Sequence, residues 1–254
     1  MQGGFEIQLM DSGVLQLRVF HPETSSSRLV SVYRDPETAF VSVLVGRLLY
    51  REELIHRLRL PRNDSRNDAE LAGLVYRKLG REALVTLEGE FACCLIECNQ
   101  KRVIAIRDIL GSYPLYHSTV GELRVGTSLR SLGQTAEINQ EYLAALLASP
   151  FAFVELPEPQ TAYRRINRVL AGEILEISAN SKATIGTFGW QAETHSGDMT
   201  FPDAVEGFRH RLNLSVQERM KDQTTGVHLS GGMDSSSIAC LARNHGTQNG
   251  DRIS

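Results

Sequence analysis

Between Ser230 and Ser236 the chain reads Ser-Gly-Gly-Met-Asp-Ser-Ser. Gly231 and Gly232 remove side chains where a backbone must turn tightly, and they leave amide N–H groups able to converge on an anion. A helix expected to begin near Ser235 adds the positive end of its dipole and its unpaired N–H groups. Ser230, Ser235 and Ser236 supply hydroxyl donors. Together these residues are the parts of a pyrophosphate cradle. The loop has no Gly-Lys-Ser/Thr, so no lysine reaches a terminal phosphate. An aspartate aimed into such a nest would be repelled unless a cation bridged it, and Asp234 therefore implies Mg²⁺. Ser and Asp are also ordinary helix N-cap residues, so a plain cap is the competing explanation.

The elements needed to hold that loop are present in the pattern. An apolar strand at Thr225–Leu229 is expected to lead into it, and a helix reaching about Asn244 to leave it. Strand, loop and helix in that order open a nucleotide-binding α/β domain. Before them an amphipathic helix is expected over about residues 202–220, and residues 191–201 read as a polar linker. The first 190 residues differ in character. Apolar runs rich in β-branched residues at 29–33, 40–46, 91–98, 102–108, 114–120 and 122–128 predict strands. Helical spacing appears at 50–60 and at 67–80, the latter opening on Asn67 or Asp68 as N-cap and closing on Gly80. Residues 139–149 predict another helix and 168–178 a hairpin. Strands interrupted by a helical pair predict an α+β layered domain.

Bulk properties narrow the setting. With 254 residues, 42% hydrophobic and 22% charged, the chain can bury a proper core; its net charge of −3 gives no electrostatic footprint for nucleic acid or a membrane surface. The four cysteines, Cys93, Cys94, Cys98 and Cys240, form no CxxC pair, so neither a zinc site nor a disulfide framework is expected and a cytoplasmic setting fits. Adjacent Cys93 and Cys94 point to opposite faces if their segment is a strand. No signal-like or membrane-spanning apolar run stands out.

At Ser230 to Ser235 the sequence resembles the PP-loop ATP pyrophosphatases. Other segments narrow the resemblance to the asparagine synthetase family: Leu87 to His117, running through Gly-Glu-Phe-Ala, Arg107-Asp108 and Pro114-Leu115-Tyr116, then Asn67 to Leu71, and Arg168 to Gly172. The likeness covers most of the chain from about residue 40. It implies an N-terminal nucleophile-hydrolase-like αββα sandwich over 1–190, a linker at 191–201, and an incomplete ATP-binding synthetase domain over 202–254. It implies ATP and Mg²⁺ as cofactors. The backbone of Leu229 would lie on adenine, Ser230, Gly231, Gly232, Ser235 and Ser236 on pyrophosphate, and Asp234 on the metal. The activity implied is adenylation of a small-molecule or peptide carboxylate followed by attack of an amine.

In the same family, glutamine-using members expose Cys at residue 2, where this chain has Gln2, and a carboxamide cannot act as that nucleophile. The family's Asn-Gly-Glu turn is matched by Val45-Gly46-Arg47. Asp68 matches the residue that grips glutamine's α-amino group, although a helix N-cap explains it equally well. Mid-strand Cys93 and Cys94 are expected to pack rather than react, and adjacent Arg107-Asp108 to stitch loops. The basic run at 51–62 is expected to be a solvated face, with a surface for an acidic partner as the alternative, and His228 to be packed or solvated.

A retained scaffold with a dead glutaminase is the expectation, the amine coming from ammonia or from the substrate itself. Glutaminase-less branches of the second kind include the lasso-peptide macrolactam synthetases, which would bring a precursor peptide and its peptidase as partners. The alternatives are an asparagine synthase, glutamine-hydrolysing or ammonia-dependent, and a non-catalytic nucleotide-binding or interaction module. With a single helix and a polar tail after the loop, the chain is expected to be a fragment inactive alone, its C-terminal segment loosely held. Incubation with glutamine should accordingly release glutamate only at background rate. Turnover abolished by Cys93→Ala or Cys94→Ala would overturn that expectation.

Overall fold

The computed structural model describes residues 3–10, 12–21, 29–62, 64–118, 122–134, 136–148, 158–178, 182–188, 199–221 and 226–249. The chain divides into two compact units, Met1–Trp190 and Gln191–Ser254.

The first unit is built on two antiparallel sheets. One contains β1 (Gly4–Leu9), β2 (Leu15–Phe20), β7 (Tyr116–Ser118), β8 (Leu123–Gly126) and β9 (Asn167–Arg168), in the order β2-β1-β8-β7-β9. The other contains β3 (Val30–Arg34), β4 (Phe40–Leu48), β5 (Gly89–Glu97), β6 (Arg102–Arg107), β10 (Glu173–Ser178) and β11 (Lys182–Thr187), in the order β11-β10-β6-β5-β4-β3. The expected strands at 29–33, 40–46, 91–98, 102–108, 114–120 and 122–128 each correspond to one of these. Residues 119–121 lie outside the described set.

Alternation along the strands produces two cores. Phe5, Ile7 and Leu9 of β1 and Val125 of β8 face Val41, Val43 and Val45 of β4, Ala92, Cys94 and Ile96 of β5, and Val103 and Ala105 of β6. The residues between them, including Leu44, Cys93, Leu95, Ile104 and Ile106, point the other way into a helical layer. The second sheet is thus buried on both faces, which is why its strands read as nearly continuous apolar runs rather than alternating ones. Cys93 and Cys94 fall into opposite cores, both fully buried, and burial pushes both thiols well above their ordinary pKa.

That helical layer consists of α1 (Arg51–Arg57), α2 (Asp68–Leu79) and a 3₁₀ turn at Arg81–Thr86. On α2, Asn67 is the N-cap, its side chain accepting from the Glu70 N–H, and Gly80 closes the helix at φ 87°. Ser42, buried on β4, donates its hydroxyl to the Ala69 carbonyl at 2.6 Å, which fixes α2 against the sheet. Outside the first sheet the cover is thinner: α3 (Leu129–Leu132) is one turn, and α4 (Gln140–Ala148) has no buried residue. There Glu6 of β1 is bound by Arg124 of β8 and Ser131 of α3. Burial alone would raise the Glu6 pKa, but these bonds hold it below its ordinary value. The result is an α+β layered fold of two stacked sheets with helices outside.

The structure adds to the expected elements and corrects several of them. The N-terminal segment supplies β1 and β2, which the strand pattern did not reveal. Residues 168–178 are not a hairpin: β9 pairs with β7 in one sheet and β10 with β6 and β11 in the other, so the chain crosses between sheets at 169–172. In the second unit, Gly226–Ser230 form no strand, because no described strand lies beside them to complete a ladder; Thr225 is outside the described residues. That unit consists of α5 (Phe201–Met220), capped by Thr200 and Asp203 in a reciprocal capping box, and α6 (Met233–Asn249). Met233 starts α6 two residues earlier than expected, and the helix runs past Asn244. The linker expectation at 191–198 lies outside the described residues, and its last positions, Thr200 and Phe201, already belong to the capped start of α5.

Two of the sheet crossings, β6 to β7 and β9 to β10, are pinned by Arg107 and Asp108. Arg107 is 5% exposed, and its guanidinium donates to the carbonyls of Gly111 (2.9 Å), Tyr113 (2.8 Å) and Val169 (2.9 Å). Asp108 is 2% exposed; its carboxylate accepts from the N–H groups of Phe91, Leu110 and Ser112. Its carbonyl accepts from Gly111 and Gly172. The pair stitches loops, as its composition suggested. Arg107→Met should lower the unfolding free energy in urea by about 3 kcal/mol or more, since several buried carbonyls lose their donor together. Arg81→Met, removing a partly exposed pair with Glu176 at 3.0 Å, should change it by less than about 1 kcal/mol.

Candidate functional site

Two sets of expected site residues lie in separate units and are described separately. In the first unit, the residues matched to a glutamine grip gather where β4 ends and α2 begins. Asn67 holds the cap, so Asp68 is not the N-cap and its carboxylate faces the end of β4. One oxygen accepts from the Leu48 N–H at 2.8 Å and the other pairs with Arg51, leaving the side chain 14% exposed. Arg51 also donates to the Arg66 carbonyl at 2.7 Å. The carboxylate is thereby committed to neighbours on its own scaffold.

The Val45-Gly46-Arg47 turn lies beside it. Gly46 has φ 95°, and a Cβ there would fall 2.0 Å from the Glu90 carbonyl oxygen and 2.6 Å from the Tyr113 ring. Only glycine fits. Arg47 stands opposite Glu90 in the β4–β5 register, and their side chains pair at 3.4 Å. Tyr113 is half-buried; desolvation, then the Glu90 charge, raises its hydroxyl pKa. Arg51, Glu90 and Tyr113 were not singled out in the sequence. The register of two adjacent strands, which places opposite charges at Arg47 and Glu90, is the signal that could have found the first contact. Gln2 lies outside the described residues.

In the second unit, the loop from Leu229 to Ser236 is built as a self-supporting turn. Gly231 takes φ 82°, a value side chains rarely adopt, with open space around it. The hydroxyls of Ser230 and Ser235 lie 2.9 Å apart, and Ser235 Oγ donates to the Gly232 carbonyl at 3.1 Å. Gly232 N–H donates to Ser230 Oγ at 3.4 Å, and Ser236 N–H to the Gly232 carbonyl at 3.2 Å. Two expected phosphate donors, the N–H groups of Gly232 and Ser236, are therefore used inside the loop. Asp234 sits in the first turn of α6, exposed, and Ser237 turns back to the Met233 carbonyl at 2.8 Å. Leu229 is 67% exposed. His228 is exposed and not on a strand.

The structure thus brings Ser230, Gly231, Gly232 and Ser235 into one turn with Asp234 and Ser236 at its helical side. The donor set suits a phosphate ligand: two hydroxyls, a glycine turn open to solvent and the amide-rich start of a 17-residue helix. Among the described residues no group of three or more His, Cys, Asp or Glu side chains could hold a metal ion. Asp234 alone suits Mg²⁺ only in the manner of a site completed by phosphate oxygens and water. Nor, among the described residues, is any helix long and apolar enough to cross a membrane.

Comparison with known proteins gives two family matches. The glutamine amidotransferase domain matches residues 34–188, more than half of the chain, and asparagine synthase matches 207–252. Amidase chyE of Penicillium rubens is 26% identical over 255 residues, covering 94% of this chain and 35% of that protein. A protein of Mycobacterium bovis, provisionally named a glutamine-hydrolyzing asparagine synthetase, is 30% identical over 222 residues, 81% of this chain and 33% of its own length. The glutamine-hydrolyzing asparagine synthetase 1 of Bacillus subtilis is 29% identical over 194 residues, 76% of this chain and 30% of its own. The chain thus spans about a third of the length of these relatives. Among solved structures, a glutamine phosphoribosylpyrophosphate amidotransferase from B. subtilis is 15% identical with a TM-score of 0.47, covering 100% of this chain and 59% of that one. The chain is a member of the asparagine synthetase family, carrying a glutamine amidotransferase domain followed by a stretch that matches asparagine synthase.

Proposed function

We propose that this chain belongs to an ATP-dependent, amide-bond-forming ligase whose glutamine amidotransferase domain serves as scaffold rather than as glutaminase. The observation that carries the second half of this reading is the state of the grip residues. Asp68 is paired with Arg51 and bonded to the Leu48 N–H, and Arg47 is paired with Glu90 across the ladder. A carboxylate already satisfied by a guanidinium and a backbone N–H offers a substrate ammonium little that water does not. Buried Cys93 and Cys94, with thiols held protonated by desolvation, offer no replacement nucleophile.

The loop at Ser230–Ser236 supports the first half. ATP, when bound, supplies the phosphoanhydride whose cleavage drives amide formation. Ser230, Gly231, Gly232, Ser235 and Ser236 would hold its phosphates, Leu229 would lie on adenine, and Asp234 would meet the Mg²⁺. The chain's own part is to gather these donors in one turn, where Gly232 N–H and the Ser235 hydroxyl would exchange their internal partners for phosphate oxygens. With glutamine unused, the amine comes from ammonia or from the carboxylate substrate itself, the latter as in the lasso-peptide macrolactam synthetases with their precursor peptide and peptidase. The names of the Bacillus and Mycobacterium relatives favour a second reading, glutamine-hydrolysing asparagine synthesis. Measured glutamate release separates the two.

Asp234→Ala, made in the protein extended to the length of its relatives, should lower Mg²⁺-dependent pyrophosphate release from ATP about 10²-fold or more while leaving the fold intact. Its side chain is exposed at a helix start, so the fold has little to lose. Unchanged release would remove Asp234 from the metal. Calorimetric titration of the 254 residues alone should detect only weak ATP binding; tight, Mg²⁺-dependent binding would mean that these residues build the site by themselves.

A further inference from the structure

We infer that a cavity at the β9 edge of the first sheet binds a small zwitterion of the α-amino-acid type. Its volume is about 310 Å³, the small end of the roughly 300–1,000 Å³ range of ligand sites. The inference is independent of the ATP loop and of the residues around Asp68.

The cavity is preformed. One wall is the loop closed by the Gln160–Asn167 bridge; the other is the segment leading into α4. Backbone bonds tie the two together, Arg164 N–H to the Glu137 carbonyl at 2.7 Å and Asn139 N–H to the Ala162 carbonyl at 2.9 Å. Ile138 and Tyr163 form a further bridge between them. Buried Thr161 braces the loop from within, its hydroxyl donating to the Ile166 carbonyl at 2.7 Å. A ligand would therefore not have to order these walls.

Charge selects the ligand class. Two carboxylates and two guanidinium groups line the cavity. Arg164 and Glu137 pair with each other at 3.6 Å. Glu141 and Arg165 also line it, and neither forms an ion pair among the described residues. A bare anion would meet the carboxylates, and a bare amine the arginines. A molecule carrying both charges meets neither objection, with its carboxylate on the Arg165 fork and its ammonium on Glu141. The side-chain amides of Asn139, Gln160 and Asn167 add donors and acceptors for a polar side chain.

The test is a titration of the 254-residue protein, followed by NMR, with glycine, serine, asparagine and leucine, and with acetate and methylamine as single-charge probes. Saturable binding is expected for the amino acids, strongest for those with polar side chains, and none for acetate or methylamine. Arg165→Gln and Glu141→Gln should each weaken it tenfold or more without altering the fold, since both side chains are exposed. Asp68→Asn should leave it unchanged. Three results would each overturn the assignment: no saturable binding, acetate binding as well as the amino acids, or unaltered binding in the two cavity variants. Loss of binding in Asp68→Asn would place the ligand at the other site and overturn it as well.

Discussion

A single dipeptide determines whether the two sheets of the first unit can be one object. The chain leaves the second sheet after β6 and returns to it before β10, and both passages run within reach of Arg107 and Asp108. Elsewhere the sheets meet through apolar side chains, a contact that favours burial but does not fix direction. Loops that cross between layers carry peptide groups into a water-poor region, where each unpaired group costs about 1–3 kcal/mol. Arginine suits the task because its fixed fork serves several carbonyls at once, and the neighbouring carboxylate serves the N–H groups left over. Buried charges of this kind are stable because the backbone supplies the polar environment that water would have given.

The same burial explains which parts of the fold were legible in the sequence. Strands covered on both faces, such as β5 with its Phe-Ala-Cys-Cys-Leu-Ile run, must be apolar throughout and therefore stand out. β2 does not, because its outer face is open to water and its residues alternate with Gln16 and Arg18. The helix at 68–79 was legible down to its caps, since Asn67 and Gly80 act locally. The region 168–178 was misread for the opposite reason. Val169 and Leu170 followed by Gly172 have the local character of a hairpin turn, but the partners of Val169, Leu115 and Arg107, lie more than fifty residues away. Local pattern cannot tell a turn that reverses within a sheet from one that changes sheets. The residues 225–229 failed differently: an apolar run is a strand only where another strand supplies its hydrogen bonds.

The residues around Asp68 show how backbone geometry and ion pairing together hold the end of one strand against the start of a helix. Gly46 is held by the closeness of the Glu90 carbonyl and the Tyr113 ring, a backbone requirement independent of any substrate. At Arg47 a cation faces Glu90, and Arg51 supplies a second cation to Asp68. These pairs lie between about 14% and 34% exposed, an environment where Coulomb attraction is stronger than in water yet desolvation is incomplete. Such pairs hold the end of β4 against β5 and against the start of α2. The strand register, not the local motif, is what sets Arg47 opposite Glu90.

At the Ser230–Ser236 loop the constraint runs in the other direction, from solvent to chemistry. The turn is formed and its hydroxyls converge, but every residue from His228 to Asp234 is exposed. A charge pair 4 Å apart is worth about 1 kcal/mol in bulk water and about 4 kcal/mol at an effective dielectric constant of 20. The same donors gain severalfold in strength simply by being covered. Leu229, 67% exposed, is the apolar surface such a cover would bury, and its burial would also bring the loop's dipoles into a drier medium. If the loop takes phosphate as proposed, its affinity would depend on cover as well as on the turn itself. In the proposed ATP site, burial of Leu229 would set the strength of donors whose placement the turn already fixes.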